Sequence, residues 1–404
     1  MISVLLTLAT QESALSQSSG GSNYSVFGLG DLIESYGASF DAVGGASIGA
    51  TSPFAVNLAN PAAWNAPRST RFQTGFTFRQ FRNTDQSGSS AQNGGYLQGF
   101  ASVFSIDTVR GISAGFGIIP KTHVQYSYRL ISNTDDPSQS MSVVFRGTGG
   151  MSSLYVGSAV QVLPNVHLGV MGEYNFGNIE ATVQTDATST LSQSRTIITD
   201  ALSGVSGKIG LQYLGIPNLA LGFVAGAGIP LTITRNVTYK FSGALQDETL
   251  LDTITTAFPT ELAFGIGYTL NRLTFLADVS TKDFSTFRYR ARRDDVVFRP
   301  STRISLGVAL AGSSDYTASF FEALGYSIGF GYHEQYLRIS GIGINEIYGS
   351  FGLQLPVVRR VIFDVAVTGG LRGVHTQGLT QELFGRFSFS VNVGEIWFQP
   401  LFRE

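Results

Sequence analysis

The stretch Leu273-Thr274-Phe275-Leu276-Ala277-Asp278-Val279-Ser280-Thr281-Lys282 decides the fold class. Leu273, Phe275, Ala277 and Val279 fall on one parity, while Arg272, Thr274, Asp278, Ser280 and Lys282 fall on the other; Leu276 is the exception. Only an extended strand turns such residues to opposite faces. The same split sets Val166, Leu168, Val170, Tyr174 and Phe176 against His167, Gly169, Glu173 and Asn175. It recurs with Ile304, Leu306, Val308 and Leu310 against Arg303, Ser305 and Gly307, and with Val361, Phe363, Val365 and Val367 against Arg360, Asp364, Thr368 and Arg372, with Ile362 tolerated. Phe387, Phe389, Val391 and Val393 stand against Arg386, Ser388, Ser390 and Asn392. This is the pattern of a barrel wall with lipid on one side and a polar lumen on the other.

Composition agrees. Of 404 residues only 13% are charged, about half the roughly 25% of ordinary globular chains. Gly is 48, Phe 30 and Tyr 16, whereas Pro is only 12, so the glycine does not mark a disordered linker. No window approaches the roughly 18 to 20 consecutive apolar residues of a membrane helix, and mean hydropathy is +0.14. A net charge of −2 argues against a nucleic-acid partner, and a Cys count of 0 excludes a disulfide scaffold.

A soluble sandwich alternates too, so connection lengths must discriminate. From Arg71 onward, long breaks at Arg82–Gly95, Ile131–Gln139, Ala187–Gln193, Ser242–Asp252, Arg292–Phe298, Gln335–Asn345 and Gly373–Gln381 alternate with short ones. The short ones are Asp107–Val109, Leu163–Asn165, Gly215–Asn218, Leu270–Arg272, Gly312–Asp315 and Pro356–Arg360. The expectation is an all-β, transmembrane antiparallel barrel of about 14 strands, with short periplasmic turns, longer outer loops and both termini periplasmic. Gly149-Gly150 is read as a kink within one long strand; the alternative, a tight turn, would change the count by one, and an even number favours the kink. Ile112, Ala114, Phe116 and Ile118 share parity with Val124, Tyr126, Tyr128 and Leu130, so one strand is expected to pass Pro120 in unbroken register.

Four parts are expected: a signal peptide over 1–16 (an apolar run, then Ala14-Leu15-Ser16), an N-terminal plug over 17–70, the barrel over 71–398 and a tail over 399–404. Residues Tyr24 to Ala66 do not alternate and are too apolar for a solvated linker, and a barrel this wide leaves a lumen to fill. Trp397-Phe398 ends the last strand like the carboxy-terminal signal read by the barrel-assembly machinery of the bacterial outer membrane.

Gly44-Gly45-Ala46-Ser47-Ile48-Gly49-Ala50 followed by Asn60-Pro61-Ala62 resembles the hatch of FadL-type long-chain fatty acid transporters and their relatives in Bacteroidetes-like bacteria. Phe258-Pro259-Thr260-Glu261-Leu262-Ala263-Phe264-Gly265 and Val391-Asn392-Val393-Gly394-Glu395-Ile396-Trp397-Phe398 are similar to later segments of that family. The resemblance implies a plugged fourteen-stranded barrel in the outer membrane of a Gram-negative bacterium, moving a hydrophobic ligand such as a fatty acid inward. It also implies a lateral opening at a kinked third strand, where Pro120 falls. The superfamily's secretion shuttles, which bind cargo instead, are the competing expectation.

Arg79, Arg272, Lys282, Arg303, Arg372 and Arg386 carry lumen parity and are the candidate head-group site; the competing reading pairs them with Asp278, Asp364 or Glu173 as wall lining. His123, His167, His333 and His375 show no catalytic or metal-binding spacing, so neither an enzyme, a metal nor a cofactor is expected. The run Arg290, Arg292, Arg293, Asp294, Asp295 reads as a solvated loop tip.

Overall fold

The computed structural model describes residues 18–397 apart from 87, 133–140, 188–193, 242–243, 246–248, 290–294, 314, 316, 359 and 376–377. The expected signal peptide, tail and most of the charged loop tip lie outside the described residues. Fourteen strands form the wall. They are β1 Thr70–Asp85, β2 Gly88–Asp107, β3 in two segments Ile112–Pro120 and Thr122–Ser132, β4 Met141–Leu163, β5 Val166–Ala187 and β6 Ser194–Ile216. Then come β7 as Leu219–Gly228 and Leu231–Phe241, β8 as Thr249–Thr256 and Thr260–Leu270, β9 Leu273–Asp283 and β10 as Val296–Phe298 and Ser301–Leu310. The last four are β11 Gly325–Ile339, β12 Ile342–Val358, β13 Val361–Arg372 and β14 Gln381–Glu395. Neighbours pair antiparallel, and β14 closes on β1 from Gln381↔Thr84 to Glu395↔Thr70. The end holding Thr70 and Glu395 is called lower.

The strand count is as expected, but three connections differ. Arg82–Gly95 is strand except for a tight turn, in which the Asp85 carboxylate accepts from the Gly88 amide at 3.1 Å. Gln335–Asn345 is likewise a hairpin, turned by Ser340 and Gly341 at φ 50° and 81°. Conversely, the lower connection between Leu310 and Gly325 is long and carries a helical turn, Phe320–Ala323.

The wall has two zones. In the lower zone Val156, Ile209, Phe264, Phe275 and Leu306 are exposed on the outer face, while Ser153, Asn175, Ser206, Asp278 and Arg303 are buried on the inner one. Higher up the faces exchange character: Ile179, Leu202, Ile233 and Val237 are buried inside, and Thr148 and Glu180 lie exposed outside. The change falls where prolines interrupt the wall, at Pro120, Pro230, Pro259 and Pro300. The lower segments of these four strands run 9, 10, 11 and 10 residues, the length that spans a bilayer. Above that level the strands face water and enclose an apolar core like that of a soluble protein. Tyr24 and Leu29 from the N-terminal segment, Val124, Tyr126, Met151, Leu231, Phe284, Phe287 and Tyr336 build it.

The expected continuous register through Pro120 does not hold. Ile118 is 42% exposed and Val124 only 2%, although both have even numbers. Pairing of β3 with β4 steps from Pro120↔Ser152 to Val124↔Gly149, three intervening residues opposing two, and this bulge inverts the faces. Opposite it Gly149 and Gly150 adopt φ 113° and 144°, and a Cβ on Gly150 would lie 2.3 Å from the Thr122 carbonyl oxygen, so the Gly-Gly pair is the kink read from the sequence. β2 and β3 pair only up to Phe100↔Ile118. Above that the wall is split. Ser18–Ser19 adds alongside β2, parallel to Gln92–Asn93, and Asp31–Leu32 pairs with His123 and Thr122 on β3.

The zone boundary makes a prediction on one strand. Val156→Arg should cost about 2 to 4 kcal/mol of unfolding free energy in lipid vesicles, whereas Thr148→Arg, on the same outer face above the boundary, should cost less than about 0.5 kcal/mol. Equal losses in denaturant titrations would place both residues in one environment.

Candidate functional site

Inside the wall the N-terminal segment runs from the upper zone, where Ser18–Ser19 lies beside Gln92–Asn93 and Tyr24 donates to the Thr380 carbonyl, down to Asn60 at the lower end. Ser18 therefore does not lie at the lower end with Glu395 as expected. Asn60 caps the turn Pro61–Asn65: its side-chain oxygen accepts from the Ala62 amide at 3.0 Å, and its Nδ2 donates to the carbonyls of Ile48 at 3.0 Å and of Leu211, in β6, at 3.3 Å. Wall glycines make the close approach feasible, because a Cβ on Gly210 would lie 2.1 Å from the Asn60 oxygen. Trp64 donates its indole N–H to the Asn57 carbonyl at 2.7 Å. Asn60-Pro61-Ala62 therefore locks the segment to the lower wall.

Charged contacts dominate the level above. The Asp278 carboxylate accepts from the amides of Ser47, Ile48 at 2.6 Å and Gly49 at 3.5 Å. Lys282 bonds Glu34 at 2.8 Å, and Arg303 donates to the Glu34 and Gly45 carbonyl oxygens at 2.9 and 3.4 Å. Burial alone would favour the neutral form of Glu34, but Lys282 and Arg303 outweigh it and hold the carboxyl down at about 2. Arg79 meets Asp31 at 3.0 Å; Arg372 meets Asp31 and Glu346 at 2.8 Å each, Glu382 at 3.6 Å and the Ser22 hydroxyl at 3.0 Å. Arg386 shares Glu346 at 3.0 Å and lies over the rings of Phe384 and Tyr348.

Five of the six cations expected in the lumen are thus brought together there. Arg272 is the correction: it is exposed at the lower rim, donating to the carbonyls of Ala311 at 2.9 Å and Glu322 at 3.3 Å, because its parity is right but the strand begins only at Leu273. The partners also differ from those expected. Asp364 accepts from Gln354 and Asn392 at 3.0 and 2.6 Å, Glu173 takes Lys121 at 2.5 Å, and Asp278 holds backbone amides. The residues that neutralise the arginines, Asp31, Glu346 and Glu382, went unread; Glu346 and Glu382 lie on inward parity, but Asp31 lies in a segment with no periodicity. His333 shares a 2.8 Å bond with Ser301 and contacts Gln335 at 3.1 Å, a wall-lining arrangement.

Two small spaces lie between the N-terminal segment and the wall among the described residues. One, about 40 Å³, lies among Asp31, Glu34, Arg79, Arg303, Glu346 and Arg386. The other, about 70 Å³, lies at the level of the proline breaks and is amphipathic, with Leu32, Leu231, Phe258 and Phe284 against Lys121, Lys282 and Glu173. Each has room for a few waters. Among the described residues, ion pairs fill the middle of the lumen and apolar side chains pack above them.

The model of one family, BamG, matches residues 1–401. No curated protein matches. Among solved structures the chain is similar to the toluene transporter TodX of P. putida (16% identity, TM-score 0.61, covering 91% of this chain and 100% of that one). It is also similar to a FadL homologue of Pseudomonas aeruginosa (10%, 0.62, 91% and 100%) and to the toluene transporter TbuX of Ralstonia pickettii (16%, 0.58, 90% and 99%).

Glu346 joins the arginines, so Glu346→Gln should destabilise the protein by about 3 to 5 kcal/mol by leaving Arg372 and Arg386 under-neutralised away from bulk water. Loss of less than about 1 kcal/mol in a denaturant titration would mean that water reaches the cluster freely.

Proposed function

The chain belongs to the BamG family, and from that premise we propose that it is a FadL-type barrel of a Gram-negative outer membrane that passes hydrophobic small molecules. Long-chain fatty acids are the proposed class, and the break at Pro120 the proposed lateral exit. The observation that carries this reading is the split between β2 and β3 above Phe100↔Ile118, beside the amphipathic space lined by Lys121 and Thr122. The split starts at the top of the membrane-spanning segments, so its lower edge gives an apolar solute a sideways route between the lumen and the rim of the lipid, and a carboxylate head has the pairs that Lys121 and Lys282 make with Glu173 and Glu34 to exchange into. The present space is too small for an acyl chain, so transport requires the N-terminal segment, acting as a plug, to shift.

A second reading has its own support. The filled lumen, together with a family name bearing the prefix of the barrel-assembly machinery, fits a barrel that works as a membrane-embedded partner of that machinery without conducting anything.

The chain's lack of cysteine makes the test clean. Tyr96 and His123 face each other across the split, ring centroids 5.5 Å apart. With cysteines at both positions, a reversible cross-link should abolish uptake of a fluorescent fatty acid, and reduction should restore it. Uptake indifferent to a confirmed cross-link sinks the lateral route. Defective assembly of other outer-membrane barrels in a deletion strain with normal uptake would favour the second reading. Removing residues Tyr24 to Ala66 should raise ion conductance in planar bilayers, and unchanged conductance in a folded deletion would refute the plug.

A further inference from the structure

We propose that the turn Ser319 to Leu324 in the lower connection is a membrane-interface anchor, with Phe320 and Phe321 entering the phospholipid leaflet at that end of the barrel. The inference rests on the membrane-spanning reading of the fold, not on transport. Phe320 and Phe321 are 66% and 71% exposed and pack edge to face, ring centroids 5.6 Å apart. Two adjacent phenylalanines left in water on an ordered turn would forfeit the burial that such side chains normally obtain.

Several bonds fix the turn in place. Ser319 and Glu322 form a reciprocal capping box, with the Glu322 carboxylate accepting from the Ser319 amide and hydroxyl at 2.8 Å each. The Ser313 amide donates to the Glu322 carbonyl at 2.6 Å, and Arg272 grips Ala311 and Glu322 from the neighbouring turn. The aromatic pair is therefore presented, not left on a slack loop.

Its location identifies what covers it. The Tyr326 hydroxyl donates to the Phe321 carbonyl at 3.0 Å, and Tyr326 pairs with Leu310, the last residue of the row Ile304, Leu306, Val308, Leu310 on the outward face. Tyr213, Tyr268 and Trp397, exposed near the same lower edge, continue the ring that such barrels place at a membrane surface. Joined through Tyr326 to the end of the lipid-facing row, Phe320 and Phe321 extend this ring by two side chains. Lipid, rather than a periplasmic protein, is the surface they meet.

Because the chain has no native cysteine, a nitroxide can be attached singly at Phe321→Cys, with Phe320→Cys as a second site. Phe275→Cys serves as the lipid reference and Thr317→Cys, exposed in the same connection, as the water reference. In phosphatidylethanolamine and phosphatidylglycerol nanodiscs, power saturation should show Phe321→Cys open to oxygen and shielded from a nickel chelate, nearer to Phe275→Cys than to Thr317→Cys. Nickel access equal to that at Thr317→Cys at both phenylalanine positions would overturn the anchor. So would shielding from both reagents that appears only in native outer membranes, since a protein would then cover the pair.

Discussion

A backbone amide or carbonyl buried away from water must be paired, so a wall strand that leaves its neighbour must find another partner. In this barrel the partner comes from the front of the chain. Where β3 bulges past Pro120, the Lys121 amide turns to the Met151 carbonyl at 2.8 Å, and the Lys121 carbonyl accepts from Ile33 at 2.9 Å. Asp31 and Leu32 then take up Thr122 and His123. The N-terminal segment is thus part of the hydrogen-bonding of the wall, and a split that would be costly by itself becomes tolerable while that segment is in place.

The charges obey the same economy. Arg79, Lys282, Arg303, Arg372 and Arg386 are drawn into the lumen, and each of these five finds a carboxylate or carbonyl oxygen within 3.0 Å. Half of the neutralising groups belong to the wall and half to the segment it encloses: Glu346 and Glu382 on one side, Asp31 and Glu34 on the other. Because burial makes an unpaired charge far more expensive than an exposed one, removing the segment would strip partners from Arg79, Arg372 and Lys282 together. Any opening of the lumen must therefore exchange these ions for others or admit water to them.

Much of the wall was legible because period-2 alternation is a local signal, which the strand repeats whatever lies across the lumen. The inward set around Arg303 and Arg386 follows from it, whereas the count of fourteen rests on the connections and the kink at Gly149-Gly150 on the even strand number. The misreadings share a cause. Polar stretches such as Asn83 to Gly95 look like loops only if the whole strand is assumed to face lipid; above the membrane their outer face meets water, so polarity and strand coexist. Beyond the proline breaks the apolar face is the inner one, which is why Val124 and Tyr126 seemed to share a side with Ile118. Asp31 and Glu34 were illegible as partners, since contacts between an aperiodic segment and a distant wall leave no local trace.

The exchange of faces at the proline level also means that one continuous cylinder is held together in two different ways. Below it, apolar side chains rest against hydrocarbon and gain nothing from excluding water, so cohesion comes from paired backbone and buried charge. Above it, Phe284, Phe287, Tyr336 and their neighbours are removed from water itself, and stabilisation of that kind carries a large positive heat capacity of unfolding and weakens on cooling. Temperature therefore acts unequally along the barrel axis: cold slackens the outer cap while leaving the lipid-clad zone comparatively untouched.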